Sequence, residues 1–143
     1  MKTFTYNIFI QTTAEKLWHA LTDAEFNRQY WSGFSLQSDW KLGSPVMLIG
    51  DKGDVKWEGE VLIFDPTTTL SYSFDLTPDP RFPGEPVSKV TFTCAPAGTM
   101  MKLTIVHDQL SEKAEANVNP GWTFVASSLK SLLETGKPLD KMW

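Results

Sequence analysis

The chain has 143 residues, of which 41% are hydrophobic and 21% charged, and a formal net charge of −4. Those values fit one ordinary globular domain, residues 1–143, long enough to bury a real core. The acidic balance and the absence of any basic run exclude general binding to nucleic acid or to an anionic membrane, and no apolar run is long enough to span a bilayer.

Residues 3–10 read as a strand, with Phe4, Tyr6, Ile8 and Ile10 on one face. Thr12 and Glu15 have the spacing of a capping box, and Ala14, Leu17, Trp18 and Leu21 make a short helical stripe. Asp23 is placed to cap a second short helix with Phe26 and Tyr30, which Trp31-Ser32-Gly33 ends. The pattern then turns to strands. Phe34, Leu36 and Trp40 alternate with polar residues, and Val46-Met47-Leu48-Ile49 follows the turn at Gly43. Val55, Trp57, Val61 and Ile63 face one way, with Lys56, Glu58 and Glu60 opposite. Gly59 interrupts that row, which points to a bulge or to close approach by another group. Leu70, Tyr72, Phe74 and Leu76 form the next inward row.

Residues 77–87 hold four prolines, at 78, 80, 83 and 86. They read either as the rim of a pocket or as a stiff surface connection. Val90, Phe92 and Cys94 share a face of the next strand, and Met101, Leu103, Ile105 and His107 share one of the last. Residues 111–118 are polar and read as a loop or an extra helical turn. The closing helix starts at Asn119 as N-cap with Pro120 in its first turn, and stops at Gly136. Its stripe is Trp122, Val125, Ala126, Leu129, Leu132 and Leu133, with Ser127, Ser128, Lys130, Ser131 and Glu134 largely on the other side. A strand, two short helices, six strands and a long helix make an α+β chain with an antiparallel sheet curved around the last helix.

Several strings carry a resemblance. Thr13-Ala14-Glu15-Lys16-Leu17-Trp18 through Leu21-Thr22-Asp23, Gly59-Glu60-Val61 with Asp65-Pro66, and Leu70-Ser71-Tyr72-Ser73-Phe74 are three. Pro86-Val87-Ser88-Lys89-Val90-Thr91-Phe92, Leu103 through Asp108, Gly121-Trp122 and Leu129 through Gly136 complete them. Together they resemble the START-like, helix-grip superfamily (SRPBCC), in the branch of homologues of the C-terminal domain of the heat-shock protein 90 ATPase activator. The resemblance spans nearly the whole chain. It implies a hydrophobic cavity between sheet and long helix, and it identifies no substrate.

Among residues with chemistry, His107 shares the inward face of the last strand. It is a candidate general base, or a histidine satisfied by a backbone carbonyl or by Asp108. His19 sits between core positions of the first helix and carries little functional weight. Cys94 is the only cysteine, so no internal disulfide forms. With His107 it forms a conceivable nucleophilic pair, against the plainer reading of an inert buried thiol. Two distant histidines and one cysteine make no metal site, and no cofactor motif is present. Glu58 and Glu60 read as a solvated outer face. The aromatic excess, 13% with six Trp, is core or pocket wall. The candidate ligand-binding set is Trp31, Phe34, Trp40, Trp57, Tyr72, Phe74, Phe92, His107 and Trp122. The expectation is a cytoplasmic protein that binds a small hydrophobic or aromatic molecule without chemistry of its own. The alternatives are a cyclase- or hydrolase-type enzyme using His107 with Tyr72 or Cys94, and a chaperone-associated module with a protein partner.

Overall fold

The structure, a computed structural model, describes residues 1–141; Met142 and Trp143 lie outside the described residues. β1 (Lys2–Ile10) leads through α1 (Ala14–Thr22) and α2 (Ala24–Tyr30) to β2 (Ser35–Ser38) and β3 (Pro45–Ile49). β4 (Val55–Asp65), β5 (Thr69–Phe74), β6 (Ser88–Ala97) and β7 (Met100–Leu110) follow, and α3 (Glu112–Thr135) closes the chain. The strands form one seven-stranded antiparallel sheet in the order β1-β7-β6-β5-β4-β3-β2. Only β1 leaves the meander, pairing with β7 at the far edge. The curved sheet and the long helix make the expected α+β helix grip, with the core between them.

The inward rows of β5, β6 and β7 are buried as alternation requires, from Leu70, Tyr72 and Phe74 to Leu103, Ile105 and His107. Local signals are met at α2, where the Asp23 carboxylate accepts from the Phe26 N–H at 2.9 Å. At α1 the expected cap moves by one residue. Thr13, not Thr12, accepts from the Lys16 N–H, because the bend after Ile10 takes up two residues before the helix starts. Gly59 is a site of close approach. A Cβ there would lie 1.8 Å from the Ser73 carbonyl oxygen.

Four expectations give way to packing. β4 carries a register shift between Val61 and Ile63, so Ile63 turns outward and Phe64 packs on the core in its place. Trp40 does not extend the β2 row: the strand stops at Ser38 and Trp40 has φ 55°. α3 begins at Glu112, two turns before Asn119. Ser111 is its cap, accepting from the Ala114 N–H at 3.1 Å, and Pro120 lies inside the helix. The stripe reaches back through buried Val118 and Ala114, and this burial offsets an interior proline that costs about 3 kcal/mol. Ser128 is buried rather than on the outer side, where its hydroxyl accepts from the Leu139 N–H.

The proline stretch is a set of successive turns pinned to α3. Phe82 is buried within it, the Ser111 hydroxyl donates to Glu85 at 2.6 Å, and Lys113 donates to the Arg81 carbonyl. That places the loop against the first turns of the helix.

Replacing Gly59 with Ala pushes a methyl into the Ser73 backbone, which cannot rotate away. The expected loss is on the order of 1–3 kcal/mol in urea unfolding. A variant as stable as the wild type would show that β4 and β5 separate there at no cost.

Candidate functional site

Towards the first half of α3 the packing between sheet and helix opens. The cavity holds about 450 Å³. Its sheet wall is Leu48, Lys56, Trp57 and Phe74; Trp31 and Phe34 enter from the connection between α2 and β2. The proline loop contributes Leu76, Asp79 and Arg81. The helix wall runs from Asn117 and Val118 through Pro120, Gly121 and Trp122 to Val125. The loop therefore rims the cavity, which is the first of its two readings. Gly121 leaves room where another residue would fill it, since a Cβ there meets nothing within 4 Å.

Aromatic rings hold the walls apart. Trp57 packs against Phe74 with centroids 4.1 Å apart, and Trp31 meets Trp122 edge-on at 5.6 Å. The indole N–H groups of Trp31 and Trp57 find no acceptor among the described residues. At the rim, Lys56 lies over the Phe34 ring at 5.3 Å and pairs with Asp54 at 2.7 Å, which holds the Asp54 carboxyl below the usual carboxylate range. Arg81 binds Asp79, with its closest contact at 2.7 Å, and lowers that carboxyl in the same way. An apolar chamber with polar groups at its mouth is the usual form of a small-molecule site.

Behind this chamber the grip closes. The space bordered by Tyr72 and Phe92 on the sheet and by Ala126 and Leu129 on the helix holds only about 10 Å³.

Of the nine residues proposed from the sequence, Trp31, Phe34, Trp57, Phe74 and Trp122 meet at the open cavity. Tyr72 and Phe92 border the closed space. Trp40 borders neither space: it packs at the side of the core, stacked on Phe64 at 6.2 Å and 6.4 Å from Tyr72, with its N–H donated to the Thr22 carbonyl. His107 borders neither space and is fully buried. Alternation places Lys56 outward, yet it lines the mouth. Val118, Pro120 and Gly121 also line it, although the local pattern places them before the helix or in its first turn. The continued stripe through Val118 was the signal available for them.

The hydrogen bonds of His107 define its state. The Trp122 indole N–H, which can only donate, donates a hydrogen bond to Nδ1 at 2.9 Å. Nδ1 is therefore unprotonated, and Nε2–H donates to the Ser88 hydroxyl at 2.8 Å. Ser88 in turn donates to the Phe74 carbonyl at 3.1 Å. Burial lowers the pKa of the ring to about 3, so it is neutral at physiological pH. With both nitrogens engaged, the ring has none free for a substrate proton. The Cys94–His107 pair does not form. His107 stands opposite Val90, four residues along β6 from Cys94, and burial pushes the Cys94 thiol up to about 12. Asp108 leaves His107 to Ser88 and Trp122, and its own Oδ1 is buried without a partner. His19 is exposed.

Among the described residues no cluster of His, Cys, Asp or Glu can hold a metal ion, and no helix is long and apolar enough to cross a membrane. Residues 11–134 match the family described as activator of Hsp90 ATPase homolog 1-like protein. The chain belongs to that family. A protein of known structure from Mesorhizobium loti is similar, with 29% identity and a TM-score of 0.80, over 92% of this chain and 96% of that one. The Aha1 dimer from Colwellia psychrerythraea is 21% identical with a TM-score of 0.77, over 96% and 99%. An HSP90 activator from Plasmodium falciparum is 20% identical with a TM-score of 0.71, over 86% and 89%. At 20–21% identity these last two likenesses concern the fold. No curated protein matches the chain.

Because burial depresses the pKa of His107, the unfolded chain binds its proton first as pH falls. The stability this group supports is whole above about pH 6.5 and is lost progressively towards pH 3. Between pH 6.5 and pH 5 the loss from this one group is about 1.6 kcal/mol. His107→Gln, compared with the wild type by chemical denaturation across that interval, is expected to have the flatter profile. Parallel profiles would mean that His107 titrates alike in the folded and unfolded chains.

Proposed function

We propose that this family member binds a small, largely aromatic molecule in the cavity between the sheet and the first half of α3. The observation that carries the reading is the contrast within one interior: about 450 Å³ stands open among Trp31, Trp57, Phe74 and Trp122, while the space behind them is closed. The space opens to solvent at its mouth, and a concave apolar cleft lined by aromatic rings with a few polar groups is the usual form of a small-molecule site. The two unpaired indole N–H groups supply hydrogen bonds to a ligand acceptor. His107, held neutral by two bonds, supports a binding role over proton transfer. A buried lone thiol at Cys94 suits a reducing cytoplasm.

A protein-binding role is the second reading, favoured by the description of the family itself, which names activation of the Hsp90 ATPase. The two separate by experiment. Titration with a panel of aromatic ligands is expected to quench tryptophan emission and to give a complex in native mass spectrometry. Gly121→Phe, which fills the chamber from the helix side, is expected to lower that affinity at least tenfold. No binding across the panel in the wild type would move the weight to a protein partner.

The same position tests the packing. Gly121→Ala adds only a methyl in open space and removes a helix-interior glycine. It is expected to raise stability by roughly 0.5–1 kcal/mol, read as a higher denaturation midpoint. A lower midpoint would show that α3 approaches its neighbours more closely there.

A further inference from the structure

The open chamber and the closed space behind it share a thin wall. Trp31, Trp122 and Val125 border both. Trp122 is anchored through its N–H to His107. Trp31 has no such anchor. It is followed by Ser32 and Gly33, both at positive φ, 52° and 86°. The Ser32 hydroxyl is buried and makes no hydrogen bond. The Trp31 backbone is fixed by hydrogen bonds to the Asn27 carbonyl and from the Phe34 N–H, so the part of the partition free to turn is its indole ring, which only ring packing on Tyr30, Trp57 and Trp122 holds.

The closed space carries an unpaired group of its own. Tyr72 is fully buried and its hydroxyl has no partner. Tyr30, equally buried on the same space, donates its hydroxyl to the Ala20 carbonyl at 2.6 Å. Buried hydroxyls are almost always paired, so the one at Tyr72 calls for a partner. The remaining walls, including Leu36, Leu70, Leu103 and Ile105, offer none.

We infer that the closed space is the inner half of the ligand site, entered by displacement of the Trp31 ring, and that the Tyr72 hydroxyl bonds one oxygen of a flat, otherwise apolar ligand. The inference rests on the cavity being a ligand site. The ligand class follows from the walls. With the Trp31 ring displaced, a polycyclic aromatic body would lie against Tyr72 and Phe92, and a ketone, ether or phenol oxygen would meet the hydroxyl. A carboxylate at the inner end is disfavoured, because those walls present no cation to compensate its lost hydration.

Fluorene and 9-fluorenone share one tricyclic frame and differ by a methylene against a carbonyl. Without a donor in the site the ketone binds more weakly, since it gives up its hydrogen bond to water. The wild type is expected to prefer the ketone by roughly five- to tenfold in calorimetric titration. In Tyr72→Phe the ratio is expected to fall to one or below with no drop in Tm, because the hydroxyl removed has no protein partner. In the wild type, magnetisation transfer from the ligand to the Tyr72 and Phe92 ring protons is expected, so the result does not depend on the variant folding. If neither compound binds the wild type, the ligand site itself is overturned. If both bind but the ketone is not preferred, or its preference survives in Tyr72→Phe, the ligand stays in the outer chamber and the inner subsite is overturned. Magnetisation transfer confined to Trp31, Phe34 and Trp57 overturns it equally. So does a Tyr72→Phe protein with lower Tm and unchanged preference, since the hydroxyl then serves a buried water.

Discussion

The hydrogen bond from the Trp122 indole to His107 Nδ1 joins the long helix to β7, the strand beside the β1 edge of the sheet. Its geometry allows one proton arrangement, because an indole nitrogen never accepts. That arrangement passes through Ser88 to the Phe74 carbonyl, so three adjacent strands and the helix share a single polar chain inside an apolar core. Such a network contributes when every member is satisfied and costs heavily when one is removed. Here each member is satisfied. The consequence for function is direct: the histidine best placed to look catalytic is spent on holding α3 in register.

With Trp122 held, the rest of the grip divides into two parts. Beyond it, Val125, Ala126 and Leu129 close on Tyr72, Phe92 and Leu103. Before it, the helix presents Val118, Pro120 and Gly121 to a sheet end carrying Trp57 and Phe74. The glycine supplies no side chain to fill that space and the proline only a short ring. The proline loop, pinned through Glu85 and Lys113, then forms one side of the mouth instead of collapsing into it. The chamber is thus a product of where the small residues fall on α3 relative to the anchor.

Membership of the Hsp90 activator homologue family places this arrangement in a fold that carries more than one role. The charged groups at the mouth are already paired, Lys56 with Asp54 and Arg81 with Asp79. In the proposed binding role, a ligand would meet a compensated rim and, inside, indole and phenol groups without partners. Selectivity in such a site comes from ring stacking and from one or two hydrogen bonds, not from net charge.

The local rules read from the residues were those with a short range. Period-two rows marked β5, β6 and β7 and Asp23 marked the cap of α2, because each depends on neighbours a few positions away; Gly59 marked a close approach without naming Ser73, the residue that makes it. The helix-grip class followed from the order of those elements, and nearly the whole chain carried the family strings. What the residues did not show depends on three-dimensional filling. Pro120 read as a helix start, yet burial of Ala114 and Val118 carried the helix through it. The bulge in β4 turned Ile63 out because Phe64 fits better against Trp18 and Trp40. Alternation, the helical stripe and the place of Trp31 and Phe34 beside Gly33 put nine residues on the ligand side, and only the tertiary packing divided them into five at an open chamber, two at a closed one, a tryptophan at the side of the core and a histidine bonded on both sides. Alternation reports which face a side chain takes. Whether the space before that face is empty depends on the volumes of residues far away in the chain, and those meet only in the folded structure.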